Sequence, residues 1–378
     1  MVTTSRADYS YFLPLLRAIT KDPELRLDLM VSGMHLVPEF GSTIKAIEAD
    51  GFRIATRIEM LLGSDTPEAI AKSVGLGIIG FGQAFSAFRP DILVVLGDRF
   101  EMQAAVIAAV PFNIPIAHIG GGEATEGLID EAIRHSITKM SHLHFVSHSE
   151  YEKRVIQMGE MPWRVTVSGS LSLDNLRTLD AEDTEKLSSR IGMPLDPLPL
   201  VVTYHPLTLD PDDTRWRILE LLAVLHDFGV PVVFTAANAD TKGRAIMDAI
   251  KDYVDHHANA RAVVSLGMQG YFSLLRQAAA MVGNSSSGIL ESASFQLPVV
   301  NIGDRQRGRL HAGNVVDCRD DRQSIADALR KVLDPAFRAQ LHDLKNPYGD
   351  GTAASKIINV LKNVQLGTEL IFKQFYSG

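Results

Sequence analysis

Residues 91–100 read DILVVLGDRF. The run Ile92–Leu96 is apolar without alternation and stops at Gly97-Asp98-Arg99. A strand with one wet face alternates apolar and polar residues. A continuous run marks a strand covered on both faces, as in a parallel sheet layered with helices. The same signature recurs in LRLDLMVSG (25–33), IPIAHIGG (114–121), HLHFVSH (142–148) and RVTVSG (164–169). It returns in PLVVTYHP (199–206), VPVVFTA (230–236), ARAVVSLG (260–267), AAMVGNSS (279–286) and LPVVNIG (297–303). Between these runs lie helical patterns such as PEAIAKSVGLGIIGFGQAFSAF (67–88), DEAIRHSITKM (130–140) and TRWRILELLAVLHDF (214–228). The alternation predicts an α/β fold of two doubly wound, Rossmann-like domains facing a cleft.

The break between the two series is expected at the polar, Pro-punctuated stretch 173–198. The reading is therefore a first domain over 1–172, a linker over 173–198 and a second domain over 199–352, with the helical end, about 353–378, packing back on the first. A hinge near the linker would let the cleft close. The first strand is stunted: only MVTT precedes Ser5-Arg6, so either that strand is short or the chain begins upstream.

The chain has 378 residues, long enough for two cores. Lys+Arg number 37 against 45 Asp+Glu, for a formal net charge of -8. A general nucleic-acid surface needs a basic excess and is not expected. The single cysteine, Cys318, excludes an intrachain disulfide and a cysteine-based zinc site. No apolar run is read as reaching the roughly 18 residues of a membrane span, and no signal peptide is recognised, so a cytoplasmic protein is expected.

Some signals fail on placement. Gly75, Gly77 and Gly80 spell GxGxxG, but inside a helical pattern rather than after a strand, so they suit close helix packing better than a dinucleotide. His142, His144 and His148 share one strand face without flanking carboxylates, and Asp255-His256-His257 ends a helix; structural roles are preferred for both.

Four polar clusters stand at carboxyl ends of the expected strands, where open α/β sheets bind ligands. Ser5-Arg6 to Ser10 begins a helix, whose free N–H groups and positive end attract anions. Gly97-Asp98-Arg99 follows the run quoted first. His118 to Glu123 carries three glycines and leads to Glu126, Asp130, Glu131, Arg134 and His135. In the second half stand His205-Pro206, Asn238 with Asp240, Asn284-Ser285-Ser286-Ser287 with Glu291, and Asp304-Arg305-Gln306-Arg307. The serine run reads either as a phosphate cradle or as simple N-capping. The arginine-rich loop after the next strand favours the cradle, with His205, Ser285, Ser286 and Arg305 around a nucleotide diphosphate.

At these motifs the sequence resembles the hydrolysing UDP-N-acetylglucosamine 2-epimerases of sialic and legionaminic acid biosynthesis. The segments that carry the resemblance include TSRADYS (4–10), LGDRFE (96–101), HIGGGEATEG (118–127), IDEAIRHSITKMSHLH (129–144), YHPLT (204–208), VGNSSSGILE (282–291) and NIGDRQRGR (301–309). The resemblance implies the GT-B arrangement, a UDP-sugar substrate, no cofactor, no metal and a homo-oligomer. It implies UDP or UDP-sugar contacts at Arg6, Ser10, Arg99, His205, Asn238, Leu266, Ser285, Ser286, Glu291 and Arg305. Glu291 would hold the ribose and the Leu266 backbone the uracil. Asp98, Glu123 and Asp130, with Glu131 and His205, resemble the acid/base set. The implied reaction converts UDP-N-acetylglucosamine and water to UDP and N-acetylmannosamine through a 2-acetamidoglucal. The alternatives are the related enzyme for a UDP-2,4-diacetamido-2,4,6-trideoxyglucose and a GT-B glycosyltransferase, which needs an acceptor.

Overall fold

Every strand pairing among the described residues is parallel, which accounts for the continuous apolar runs. The computed structural model describes residues 1–64, 66–125, 129–177, 179–205, 214–235 and 243–378. They divide into two units. One comprises Met1–Ala124, Ile129–Arg177 and Tyr348–Gly378; the other is built on Thr178–Pro347.

In the first unit, β1 (Val2–Thr3), β2 (Leu29–Ser32) and β3 (Ile54–Ile58) pair in that order. A second sheet orders β4 (Leu93–Leu96), β5 (Ile116–Ile119), β6 (Leu143–Val146) and β7 (Val165–Val167). Strand β1 lies beside β4, so the strand order reverses between them. In the second unit, the strands are β8 (Leu200–Thr203), β9 (Val232–Thr235), β10 (Ala260–Val263), β11 (Ala280–Gly283), β12 (Val299–Ile302) and β13 (Val315–Cys318). Their order is β10-β9-β8-β11-β12-β13, and it reverses between β8 and β11. Such switch points open a crevice at the strands' carboxyl ends. Leu200, Val202, Phe234, Val282 and Val300 fill the core of the second unit with Ile218, Leu225 and Ile246 from its helices.

Two expectations change. The stretch 173–198 is not an open linker. Leu171–Arg177 is a helix of the first unit, and Thr184–Ile191 is a helix of the second. The Asp183 carboxylate caps that second helix at the Glu185 and Lys186 N–H groups, and Leu187 and Ile191 bury one turn apart. Polar composition there reflected a helix with one narrow apolar stripe. Next, the helix Pro67–Ala87 does reach the length and apolarity of a membrane span, contrary to the expectation. It buries the stripe Ala69, Ser73, Gly77, Phe81, Ala84 and Phe85. A Cβ at Gly77 would strike Met60 and Ala104, and one at Gly80 would strike Ile58. Those glycines therefore serve helix packing. The serine run opens a helix of one turn, Ser287–Leu290, followed by a 3-10 turn.

The last segment returns to the first unit. The Ala353 and Ala354 N–H groups donate to Asp174 at 3.0 and 2.8 Å. Arg164 donates to the carbonyls of Leu370, Glu369 and Phe372 at 2.8, 3.0 and 3.1 Å. Lys373 reaches the fully buried Glu160 at 2.7 Å, where Lys139 (2.6 Å) and His144 (3.0 Å) also converge.

Candidate functional site

Because β8 and β11 pair, the segments that leave them are neighbours. Gly283 ends β11 with φ +135°, and a Cβ there would overlap the Thr203 carbonyl. The next residue, Asn284, is buried. Its Oδ1 accepts the His205 N–H at 2.7 Å, and its Nδ2 donates to the His205 carbonyl at 2.9 Å. Its own carbonyl accepts from Arg305 at 3.1 Å and from Gln306 at 2.8 Å. His205, Asn284 and Arg305 therefore meet at the switch point.

Burial, with Arg305 beside it, pushes the His205 imidazole down to about 4, so the ring is neutral near pH 7. Its Nδ1 is buried and has no hydrogen-bond partner among the described residues. Ser285 Oγ accepts the Ser287 N–H at 3.3 Å, and Ser286 is the N-cap of the one-turn helix. Ser287 Oγ accepts from the Tyr271 hydroxyl at 2.9 Å. Glu291 is buried just beyond that turn. The Leu266 carbonyl already accepts from Arg190 at 2.8 Å. Asn238, Pro206 and Asp240 lie outside the described residues.

In the first unit, Ser5 and Asp8 form a capping box at the start of the helix Arg6–Lys21. The Asp8 carboxylate also takes the Thr4 and Ser5 N–H groups at 3.0 Å, and the Thr3 and Thr4 hydroxyls. Burial alone would raise Asp8, yet His35 and these donors hold it below the ordinary carboxylate value. Arg6 is exposed at the helix start, and the Ser10 hydroxyl donates back to the Arg6 carbonyl at 2.9 Å.

The turn after β4 is fixed by His118, whose Nε2 lies 2.8 Å from the Gly97 carbonyl. Arg99 grips the fully buried Glu101 with two nitrogens, at 2.6 and 3.1 Å. Asp98 pairs instead with Arg134, which is only 2% exposed. Arg134 also donates to the Glu123 carbonyl at 2.9 Å and lies 3.5 Å from a Glu131 oxygen. Glu131 accepts from His135 at 2.9 Å, and Glu123 accepts from the Ser147 hydroxyl at 3.2 Å. Asp130 stands half-buried in the first turn of the helix Ile129–Met140. The Asp98 and Glu131 carboxylates and the Glu123 main-chain carbonyl are thus collected around one buried guanidinium. Glu126 lies outside the described residues.

His142, His144, His148 and His257 make structural contacts. His142 accepts the Ile116 N–H, His144 bonds Glu160 and His148 caps a helix. His257 stacks on Tyr253. Among the described residues no group of three or more His, Cys, Asp or Glu could hold a metal ion.

Two kinds of comparison bear on this arrangement. A solved UDP-GlcNAc 2-epimerase from Neisseria meningitidis, bound to UDP-GlcNAc, superposes with a TM-score of 0.83 at 18% identity, covering 95% of this chain and 98% of that one. That likeness establishes the GT-B-like fold. In sequence, the chain is 40% identical to a GDP/UDP-N,N'-diacetylbacillosamine 2-epimerase (hydrolyzing) from Campylobacter jejuni, over 99% of this chain and 97% of the relative. It is 33% identical to a UDP-N,N'-diacetylbacillosamine 2-epimerase (hydrolyzing) from Legionella pneumophila, over 98% and 97%. The family profile described as UDP-N-acetylglucosamine 2-epimerase matches residues 17–362, a span that includes every site residue above except Arg6 and Ser10. With nearly the whole chain aligned, this protein belongs to the UDP-N-acetylglucosamine 2-epimerase family.

Proposed function

We propose that this protein is a hydrolysing 2-epimerase of a UDP-linked 2-acetamido sugar. UDP leaves C1 while a base removes the C2 proton, giving a 2-acetamidoglucal. Water then adds at C1, and a proton returns to C2 from the opposite face, releasing the epimerised sugar. The C2 hydrogen becomes acidic only as C1 gains oxocarbenium character. The reaction therefore needs cationic or N–H groups on the departing diphosphate and carboxylates near C1 and C2. The observation that carries the reading is the gathering of the Asp98 and Glu131 carboxylates, with the main chain of Glu123, around buried Arg134.

In this reading Ser285, Ser286 and Arg305 hold the diphosphate, Glu291 the ribose and the Leu266 backbone the uracil. Arg6, Ser10, Arg99 and Asn238 complete the UDP-sugar contacts. Asp98, Glu123, Asp130, Glu131 and the neutral His205 supply the acid and base. UDP-N-acetylglucosamine, giving N-acetylmannosamine for sialic acid synthesis, is the first substrate to test. The names of the relatives at 40% and 33% identity favour the second, UDP-2,4-diacetamido-2,4,6-trideoxyglucose. We place the enzyme in the cytoplasm. We also propose a homo-oligomer, because the helix Pro67–Ala87 carries no charge from Ser73 onward and exposes Leu76 and Ile79.

Each sugar nucleotide, incubated alone with the protein, decides the matter. The epimerase is expected to release UDP and the C2 epimer without an acceptor. Little UDP from either substrate would point to a glycosyltransferase, and none to a binding protein. Arg305→Ala is expected to weaken UDP binding by about 1.5–3 kcal/mol, as for a hydrogen bond to a charged group. Unchanged affinity by calorimetry would remove Arg305 from the diphosphate. Turnover is expected to survive EDTA and removal of any bound nicotinamide; activity lost on either treatment and restored by adding back a metal ion or the nicotinamide would overturn that part.

A further inference from the structure

We infer that Asn284 is a positioning residue of this reaction: one buried amide fixes the main chain that carries His205, and the same residue's carbonyl fixes the loop that carries Arg305. The inference rests on the function proposed above and names a residue that this function did not require.

Asn284 engages His205 as a strand residue would, through both the N–H (2.7 Å) and the carbonyl (2.9 Å), but it does so with its side chain. Its own N–H donates to the Thr203 carbonyl at 3.1 Å. The pairing of β8 with β11 is thus extended past the last strand residue, where the side-chain amide replaces the missing ladder. On the other side, Arg305 and Gln306 both donate to the Asn284 carbonyl. Segments leaving β8, β11 and β12 are tied at one residue that is itself 1% exposed. Only an amide of this length supplies an acceptor and a donor together. A carboxylate would set oxygen against the His205 carbonyl. An apolar side chain would leave two buried backbone groups without partners. The two ties separate by chemistry. The side chain governs His205, whereas the main-chain carbonyl that holds Arg305 survives any substitution.

That separation sets the test. Asn284→Ala is made in the parent and in a His205→Gln background, and kcat, KM and UDP affinity are measured for all four proteins. Removal of the amide is expected to lower kcat at least tenfold in the parent and less than twofold once the imidazole is gone. UDP affinity should change less than threefold, because Arg305 keeps its anchor. The His205 ring resonances in a 15N-labelled sample are expected to move in Asn284→Ala at parental UDP affinity. Equal losses of kcat in both backgrounds, or unmoved ring resonances, overturn the inference, since a loss that does not pass through the imidazole is the same with and without it. If Asn284→Ala does not fold, Asn284→Asp, which keeps the shape and the acceptor for the His205 N–H, takes its place under the same criteria. A parent that binds UDP yet releases none from either sugar defeats the proposed function alone. The ring resonances then still decide the role of Asn284.

Discussion

Asp98→Asn, Glu123→Gln and Asp130→Asn are expected to include a variant whose turnover drops by about 10²–10⁴-fold, the range for loss of a general acid or base. In heavy water the parent should carry deuterium at C2 of the product, and the critical variant should lose that exchange together with turnover. UDP affinity is expected to hold, because Ser285, Ser286 and Arg305, proposed to hold the diphosphate, all belong to the other unit. Asp98→Asn carries a second expected effect. Arg134 is buried beside it, and removing the carboxylate charge leaves that guanidinium with Glu131 and the Glu123 carbonyl. Breaking a buried pair costs roughly 3–5 kcal/mol. The partial exposure of Asp98 places this variant toward the lower end, readable as a reduced melting temperature. Parental turnover and exchange in all three variants would move the base elsewhere, with His205 next in line.

Stability is expected to fall steeply as pH drops below about 6.5. Burial pushes His118 down to about 3, and it pushes His142 and His205 down to about 4. An unfolded chain takes up protons on these rings near pH 6.5, whereas the folded protein does not until pH 3–4. The unfolded state therefore binds more protons across that window, and stability declines with falling pH. Each histidine contributes about 1.4 kcal/mol per pH unit, so the three together contribute about 4. Above pH 6.5 they contribute no slope. His142 shows the cost in structure: protonating its Nδ1 would discharge the bond from the Ile116 N–H at 3.1 Å. Glu160 adds a later loss. Burial would raise it, yet His144, Lys139 and Lys373 hold it at about 2, so its contribution disappears from about pH 4.5 downward. His118 and His142 lie in one unit and His205 in the other, so hydrogen exchange resolved by peptide is the suitable probe. A pH-independent stability between 6.5 and 4 would contradict the assignment. His118→Gln should reduce the slope of the first unit by about a third of the three-histidine value.

The strands beside the switch points were readable because burial on both faces leaves a continuous apolar run, as in Leu93–Leu96 and Leu200–Thr203. Strands β3 and β13 were not. Both are edge strands, and the exposed Arg57 and Asp317 interrupt their apolar pattern. The positions of the site residues were readable for a topological reason, since polar residues that follow buried strands gather at one edge of a parallel sheet. Their partnerships were not. Asp98 meets Arg134 across 36 residues, and His205 meets Asn284 across 79. Neither separation matches a helix or strand period, because it is strand order that makes the pairs neighbours. The helix that the serine run opens lasts one turn, so any phosphate there would rest on hydroxyls and local N–H groups more than on a long helix dipole.

The return of residues 348–378 to the first unit orders events on the ribosome. The second unit is encoded almost wholly within Thr178–Pro347, so it is synthesised before the first unit receives its segment Tyr348–Gly378. At about 5–20 residues per second, the roughly 200 residues from Arg177 to Gly378 take on the order of 10–40 s. Throughout that interval a nascent chain holds β1–β7 without Lys373 on Glu160 and without the carbonyls that occupy Arg164. The part made first is therefore completed only after the second unit has been made, when Tyr348–Gly378 supplies the rest of its scaffold.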